Sequence, residues 1–168
     1  MRLLTARPRT RQELASALRQ RGIPAEVAED LLERYGEVGM VDDRAFARAW
    51  VTSRHHGKGL AGRALAGELR RKGVGADAIG EALDEIGGDV QARTARELVD
   101  RRLRTDRGGS PDATLRRLVG MLARKGYPPG LAFRVVRDAL TEADLSVDDT
   151  ESLEAALEAE AAQPDDES

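Results

Sequence analysis

Three times along this chain a pair of leucines stands four residues apart: Leu14 with Leu18 in ELASALRQRGI, Leu65 with Leu69 in ALAGELRRKGV, and Leu118 with Leu122 in RLVGMLARKGY. Positions i and i+4 share one face of a helix, so each pair predicts an amphipathic helix with its leucines turned inward. Four residues beyond the second leucine comes Gly22, Gly73 or Gly126, each preceded by a base, Arg21, Lys72 or Lys125. Glycine enters the left-handed conformation that closes a helix, and a base suits the helix's negative end. Successive pairs are 51 and 53 residues apart, a period far longer than a helical turn. The chain therefore reads as tandem units.

A second apolar period follows each glycine. Pro24 opens one over Val27, Leu31, Leu32 and Tyr35; Pro128 opens another over Leu131, Val135, Val136 and Leu140; the middle copy carries Ile79, Leu83 and Ile86. Proline is tolerated in a helix's first turn, where its missing N–H costs nothing. A third helix per unit is predicted over residues 43–56, with Asp42 as N-cap and Phe46 and Trp50 one turn apart. Its counterpart in the second unit is capped by Asp89 and runs through Ala95, Leu98, Val99 and Leu103, before RTDRGGSPD breaks the pattern. The expected fold is all-α, built of tandem three-helix repeats: residues 10–57, residues 58–106, and a third helical repeat core at 110–140. Leu14, Leu18, Phe46, Trp50, Leu65, Leu69, Leu118 and Leu122 are the expected core, and Asp42, Gly22, Gly73 and Gly126 the expected caps and junctions.

Charge divides the chain more sharply than its net value of −3 suggests. Residues 1–140 hold all 27 Lys and Arg against 19 acids, a net of +8, whereas residues 141–168 hold 11 acids and no base. A basic body is drawn to nucleic acid or to an acidic protein. The acidic C-terminal extension, 141–168, either masks that surface or confers solubility, and its SVDDTESLEAALEAEAAQ run fits both a capped final helix and an unfolded tail. With 40% hydrophobic and 34% charged residues, and only two Tyr, two Phe and one Trp, the composition favours small helical cores over a large β-sandwich. There is no cysteine, so neither disulfides nor thiolate metal sites arise. No apolar run is long enough to span a membrane, and the basic start MRLLTARPRTRQ has too short an apolar segment for a signal peptide, which points to the cytoplasm.

The acid pair Asp42–Asp43 reads as a helix cap and first-turn acid, since adjacent helical side chains diverge and no acid–base partner accompanies them. His55 and His56 diverge likewise, and neither has an i+4 ligand, so no metal is expected. The glycines around Lys58 lack a complete phosphate-loop pattern. No catalytic residue and no cofactor is expected, and the chain is not expected to be an enzyme.

The run VDDRAFARAWVTSRHHGKGLAGRALAGELRRKGV, residues 41–74, set among these repeats from Thr10 to about Leu140, resembles the RecX family of recombinase regulators. The resemblance rests on the acids before Phe46 and Ala47, Arg54, the Gly57/Gly59 turn, and the Glu68, Leu69, Lys72, Gly73 series. It implies an elongated, curved helical array that binds RecA protein and the RecA–DNA filament and modulates, chiefly inhibits, its ATPase, strand-exchange and co-protease activities. Weak direct DNA binding, no membrane association and a monomeric state are the accompanying expectations. Arg54, Lys58, Arg63, Arg70, Arg71 and Lys72 are the candidate filament-binding residues, although long basic side chains also lie over cores as structural cover. An autonomous nucleic-acid-binding helical module is the alternative reading. If the acidic extension screens the basic body, its removal strengthens binding to an acidic surface most at low salt, and the gain shrinks as salt rises. Equal affinity of full and shortened chains at every salt concentration in a binding titration defeats screening.

Overall fold

The computed structural model describes residues 8–106 and 108–145, together with 154–155 and 158–159. Eight bounded helices occupy the described residues, which contain no strand. They are α1 (Arg11–Gln20), α2 (Ala25–Glu37), α3 (Asp43–Lys58), α4 (Gly62–Arg71), α5 (Ala76–Asp84), α6 (Gly88–Thr105), α7 (Pro111–Arg124) and α8 (Pro129–Glu142). Thr10 caps α1 with a reciprocal capping box to Glu13, and Ser110 caps α7 ahead of its first-turn proline. Asp42 Oδ1 accepts the Ala45 N–H at 3.0 Å at the head of α3.

The three glycine junctions share one geometry. Gly22, Gly73 and Gly126 have φ of 76°, 82° and 96°. In each, the glycine N–H donates to the carbonyl three residues back, Arg19, Arg70 or Ala123, at 3.0, 2.9 and 3.0 Å. The next residue, Ile23, Val74 or Tyr127, donates to the carbonyl of the second leucine, Leu18, Leu69 or Leu122, at 3.2, 3.0 and 3.1 Å. This paired closure satisfies carbonyls that a helix end would otherwise orphan, and its hydrophobic residue turns back toward the leucine face.

The chain divides into two compact units. The first comprises residues 1–58 and 64–86; within it α1 packs on α2, and α3 on α5. Leu14, Leu32, Phe46, Val51, Leu65, Leu69, Val74 and Ile79 are buried there, while Leu18 and Trp50 are half-buried. The second comprises residues 59–63 and 87–168, and in it both α6 and α7 pack against α8. Its core joins Ala61, Val99, Leu115, Leu118, Leu122, Phe133, Val136 and Leu140. Burial of each of the valine, leucine and phenylalanine side chains contributes about 1.5–3 kcal/mol. Tyr127 is enclosed in this core with its hydroxyl unpartnered among the described residues; burial, and then the charge of Glu97, push the phenol up to about 12.

These contacts set a phase for the repeat that the leucine pattern does not. The leucines and glycines mark the α1–α2, α4–α5 and α7–α8 junctions, which are local features. Whether the third helix of a unit precedes or follows its junction is a tertiary matter, and here α3 lies on α5 and α6 on α8. At the far end α8 runs to Glu142, and Leu145 N–H still closes on the Leu140 carbonyl at 2.9 Å. A cut that isolates the acidic extension therefore belongs after Leu145. The alternatives of final helix and unfolded tail fall mostly outside the described residues, of which 154–155 and 158–159 are helical.

Two glycines leave no room for a side chain. At Gly62, φ 39°, a Cβ would stand 2.5 Å from the Gly126 carbonyl oxygen; at Gly73, φ 82°, it would stand 1.8 Å from Gln12 Oε1. Gly62→Ala and Gly73→Ala are each expected to cost roughly 1–3 kcal/mol, combining left-handed strain with displacement of a neighbour. Gly80, inside α5 with open space around it, is the contrast: Gly80→Ala is expected to be neutral or stabilising by up to about 1 kcal/mol. Denaturant melts of the three variants check the sign at each position.

Candidate functional site

The candidate bases lie on the last turns of α3, on α4 and just past its end. Glu68, on α4, is the hub of a polar cluster that fixes two of them. Its Oε2 accepts from Trp50 Nε1 at 2.9 Å and from Arg54 Nε at 3.0 Å, and Arg54 adds a second guanidinium bond to Oε1. Trp50 stacks on Phe46 at 5.7 Å between centroids, with planes 16° apart. Two cations attend its ring, Arg54 at 5.5 Å and Lys72 Nζ at 4.6 Å from the centroid.

Lys72 is held at both ends. Its ammonium pairs with Glu13 at 3.0 Å, and its carbonyl accepts the Thr10 hydroxyl at 2.5 Å. Glu13 also accepts the Thr10 N–H at 3.2 Å through the capping box. The end of α4 is thereby tied to the head of α1, and Asp43 Oδ1 adds a bond from the Arg11 N–H at 2.9 Å to the head of α3. Arg54 and Lys72 thus spend their charge inside the first unit.

The remaining candidates are placed otherwise. Arg63, Arg70 and Arg71 are exposed and make no ion pair among the described residues. Their positions on α4 fall within one helical face, since 63, 70 and 71 lie within about 100° of one another at 3.6 residues per turn. Lys58 is exposed at the end of α3. Arg44 pairs across to Glu81 on α5 and Arg48 to Glu85 at its C-terminal cap. In the second unit, Arg96 pairs with Asp100 at 2.8 Å and with Glu142. Arg93, Arg101 and Arg104, also on α6, are exposed without an ion pair among the described residues. Sequence reading passed over these three, although spacings of eight and three residues put them on one face.

The described residues contain no group of three or more His, Cys, Asp or Glu side chains arranged to hold a metal, and no helix long and apolar enough to cross a membrane. His55 is buried in the first unit, whereas His56 is exposed, their rings 5.7 Å apart and edge-on. What the geometry offers chemically is directional recognition of anions by guanidinium groups on a rigidly anchored helix.

An all-α chain of tandem three-helix domains that displays exposed arginines from its helices is the class these features define. Family models for the first, second and third three-helix domains of RecX match residues 1–34, 42–83 and 89–136. The second and third ranges open near the start of α3 and of α6, the same phase as the helix contacts. The Regulatory protein RecX of Streptomyces coelicolor is 58% identical over 153 residues, covering 91% of this chain and 80% of that relative. That of Thermobifida fusca is 54% identical over 148 residues, covering 88% and 80%. A crystal structure of RecX from Lactobacillus salivarius shares the fold, with a TM-score of 0.72 at 18% identity over 86% of this chain and 92% of that one. The chain belongs to the RecX family of regulatory proteins.

The Glu68 cluster has a pH signature. The Arg54 hydrogen bond, helped by that of Trp50 and opposed by burial, holds the Glu68 carboxyl below its ordinary value of 4.5. A depressed carboxyl contributes stability fully above its unfolded pKa and loses it as pH falls through the folded one. Glu68→Gln is expected to lower stability near neutral pH by about 1–2 kcal/mol, with the gap from wild type closing below about pH 4. Thermal melts across that range test it; a pH-independent gap defeats the assignment.

Proposed function

We propose that this chain binds the RecA-coated DNA filament and lowers its ATPase, strand-exchange and co-protease activities without catalysing a reaction itself. The observation that carries the reading is the exposed arginine face of α4, Arg63, Arg70 and Arg71, on a helix whose far end is locked by Lys72 and Glu68. Membership of a family of regulatory proteins supports a protein partner. Anchoring matters because a basic face on a fixed helix loses little conformational freedom on binding. A bound regulator then shifts the filament toward whichever state it prefers, so restraint of the recombinase follows from differential affinity and needs no active site here.

The test compares a preformed RecA filament with the same DNA free of protein at matched salt. Tighter binding to the filament is expected, because general phosphate attraction acts on both and fades as salt rises. Replacing Arg63, Arg70 and Arg71 together with Gln is expected to weaken filament binding by roughly tenfold or more with helical content retained. Equal affinity for filament and free DNA instead supports an autonomous nucleic-acid-binding module. Unchanged filament binding by the folded triple variant rejects this face.

A further inference from the structure

Within the first unit, a groove of about 280 Å³ runs along α1 beside the end of α4. We propose that this groove is a binding site for a phosphate group, gripped by Arg9 and Arg71 and flanked by Gln12, Ser16 and Gln20. The proposal shares Arg71 with the filament-binding face and adds Arg9 and α1, to which the filament reading assigns no ligand.

Charge is the first support. Four ionic side chains line the groove: Arg9, Arg71, Lys72 and Glu13. Lys72 and Glu13 pair at 3.0 Å, and three cations against one acid leave the lining with an excess of positive charge. The second support is Arg9 itself, whose Nε is enclosed by protein and has no hydrogen-bond partner among the described residues. An unmade bond from a charged donor is costly, and an anion in the groove that draws the guanidinium toward it removes the deficit.

The wall supplied by α1 is the third support. Gln12, Ser16 and Gln20 recur every four residues and all line the groove, so neutral donors are set along about 12 Å of helix. Ser16 Oγ accepts from Arg19 at 3.1 Å, which leaves the hydroxyl proton to be donated elsewhere. The backbone at Gly73 shapes the same wall, for any Cβ there would overlap the Gln12 side chain. Guanidinium, amide and hydroxyl donors together are the set from which phosphate contacts are drawn. A phosphate accepts bonds around a tetrahedron, whereas a carboxylate offers two oxygens in one plane, so donors converging from α1 and from the end of α4 match the phosphate better.

Nuclear magnetic resonance titration of the full chain, at ionic strength held constant with sodium chloride, tests the site. Three probes are used: inorganic phosphate, a single-stranded oligonucleotide, and a glutamate-rich peptide of equal charge. Saturable shifts confined to residues 9–20 and 71–72 are expected with phosphate and oligonucleotide. Arg9→Gln and Arg71→Gln are each expected to weaken that binding by about tenfold. Arg34→Gln, exposed on α2 outside the groove, is expected to leave it unchanged, and Arg9→Lys to retain part of it. An affinity that climbs with strand length identifies a nucleic-acid strand as the source, and one equal for phosphate and oligonucleotide identifies a free phosphate; either outcome upholds the site. Absence of saturable shifts with both, or equal binding of the glutamate peptide, overturns it. Because Arg71 belongs to both sites, Arg9→Gln tests the groove alone and the paired Arg63→Gln and Arg70→Gln substitutions test the filament face alone, so the two readings fail separately.

Discussion

Helix termination by a left-handed glycine is the constraint on which the rest of this molecule depends. After the second leucine of a pair, the helix has about one turn left before Gly22, Gly73 or Gly126 reverses the chain at positive φ. Only glycine adopts that conformation without paying for a Cβ. Because the closure bonds the following apolar residue to the leucine's own carbonyl, the entry angle of the next helix is set by the same residues that fill the core. Short helices that would be marginal alone are thereby delivered to each other in fixed register.

Gly73 and the residue before it show how this local device becomes a surface. Lys72 is the base at the helix's negative end, yet its ammonium reaches Glu13 and the Trp50 ring while its carbonyl receives the Thr10 hydroxyl. Its side chain thus serves the dipole, the aromatic face and the tie to α1 at once. Glu68 does the complementary work on the neighbouring turn, gathering Trp50 and Arg54. With Arg54 and Lys72 turned inward, the arginines beside them, Arg70 and Arg71, are the ones left to meet solvent.

Much of the fold was legible because its determinants are local. A leucine pair, a base and a glycine within nine residues specify one helix and its end, and Asp42 or Ser110 specify starts. Which helices pack together was less legible, since the contact of α3 with α5 and of α6 with α8 is a tertiary choice among similar apolar faces. Leu18 and Trp50 illustrate the limit: both carry the core pattern, and both finish half-buried. Trp50 does so because its indole N–H requires a partner and finds it in Glu68 at the edge of the unit.

The candidate surface was harder to read for a related reason. A run such as GELRRKG presents three adjacent bases that sequence treats alike, whereas helix geometry sends them to different neighbours. Lys72 falls within reach of an acid 59 positions away, and Arg70 does not. Likewise nothing in RPRTRQ marks Arg9, whose significance arises only once α1 is tied to the end of α4 and a groove closes beside it. Charge counts therefore overstate the surface available for recognition. What decides it is which cations the fold has already paired, and in this chain the unpaired ones lie next to the paired, on helices that the paired ones hold still.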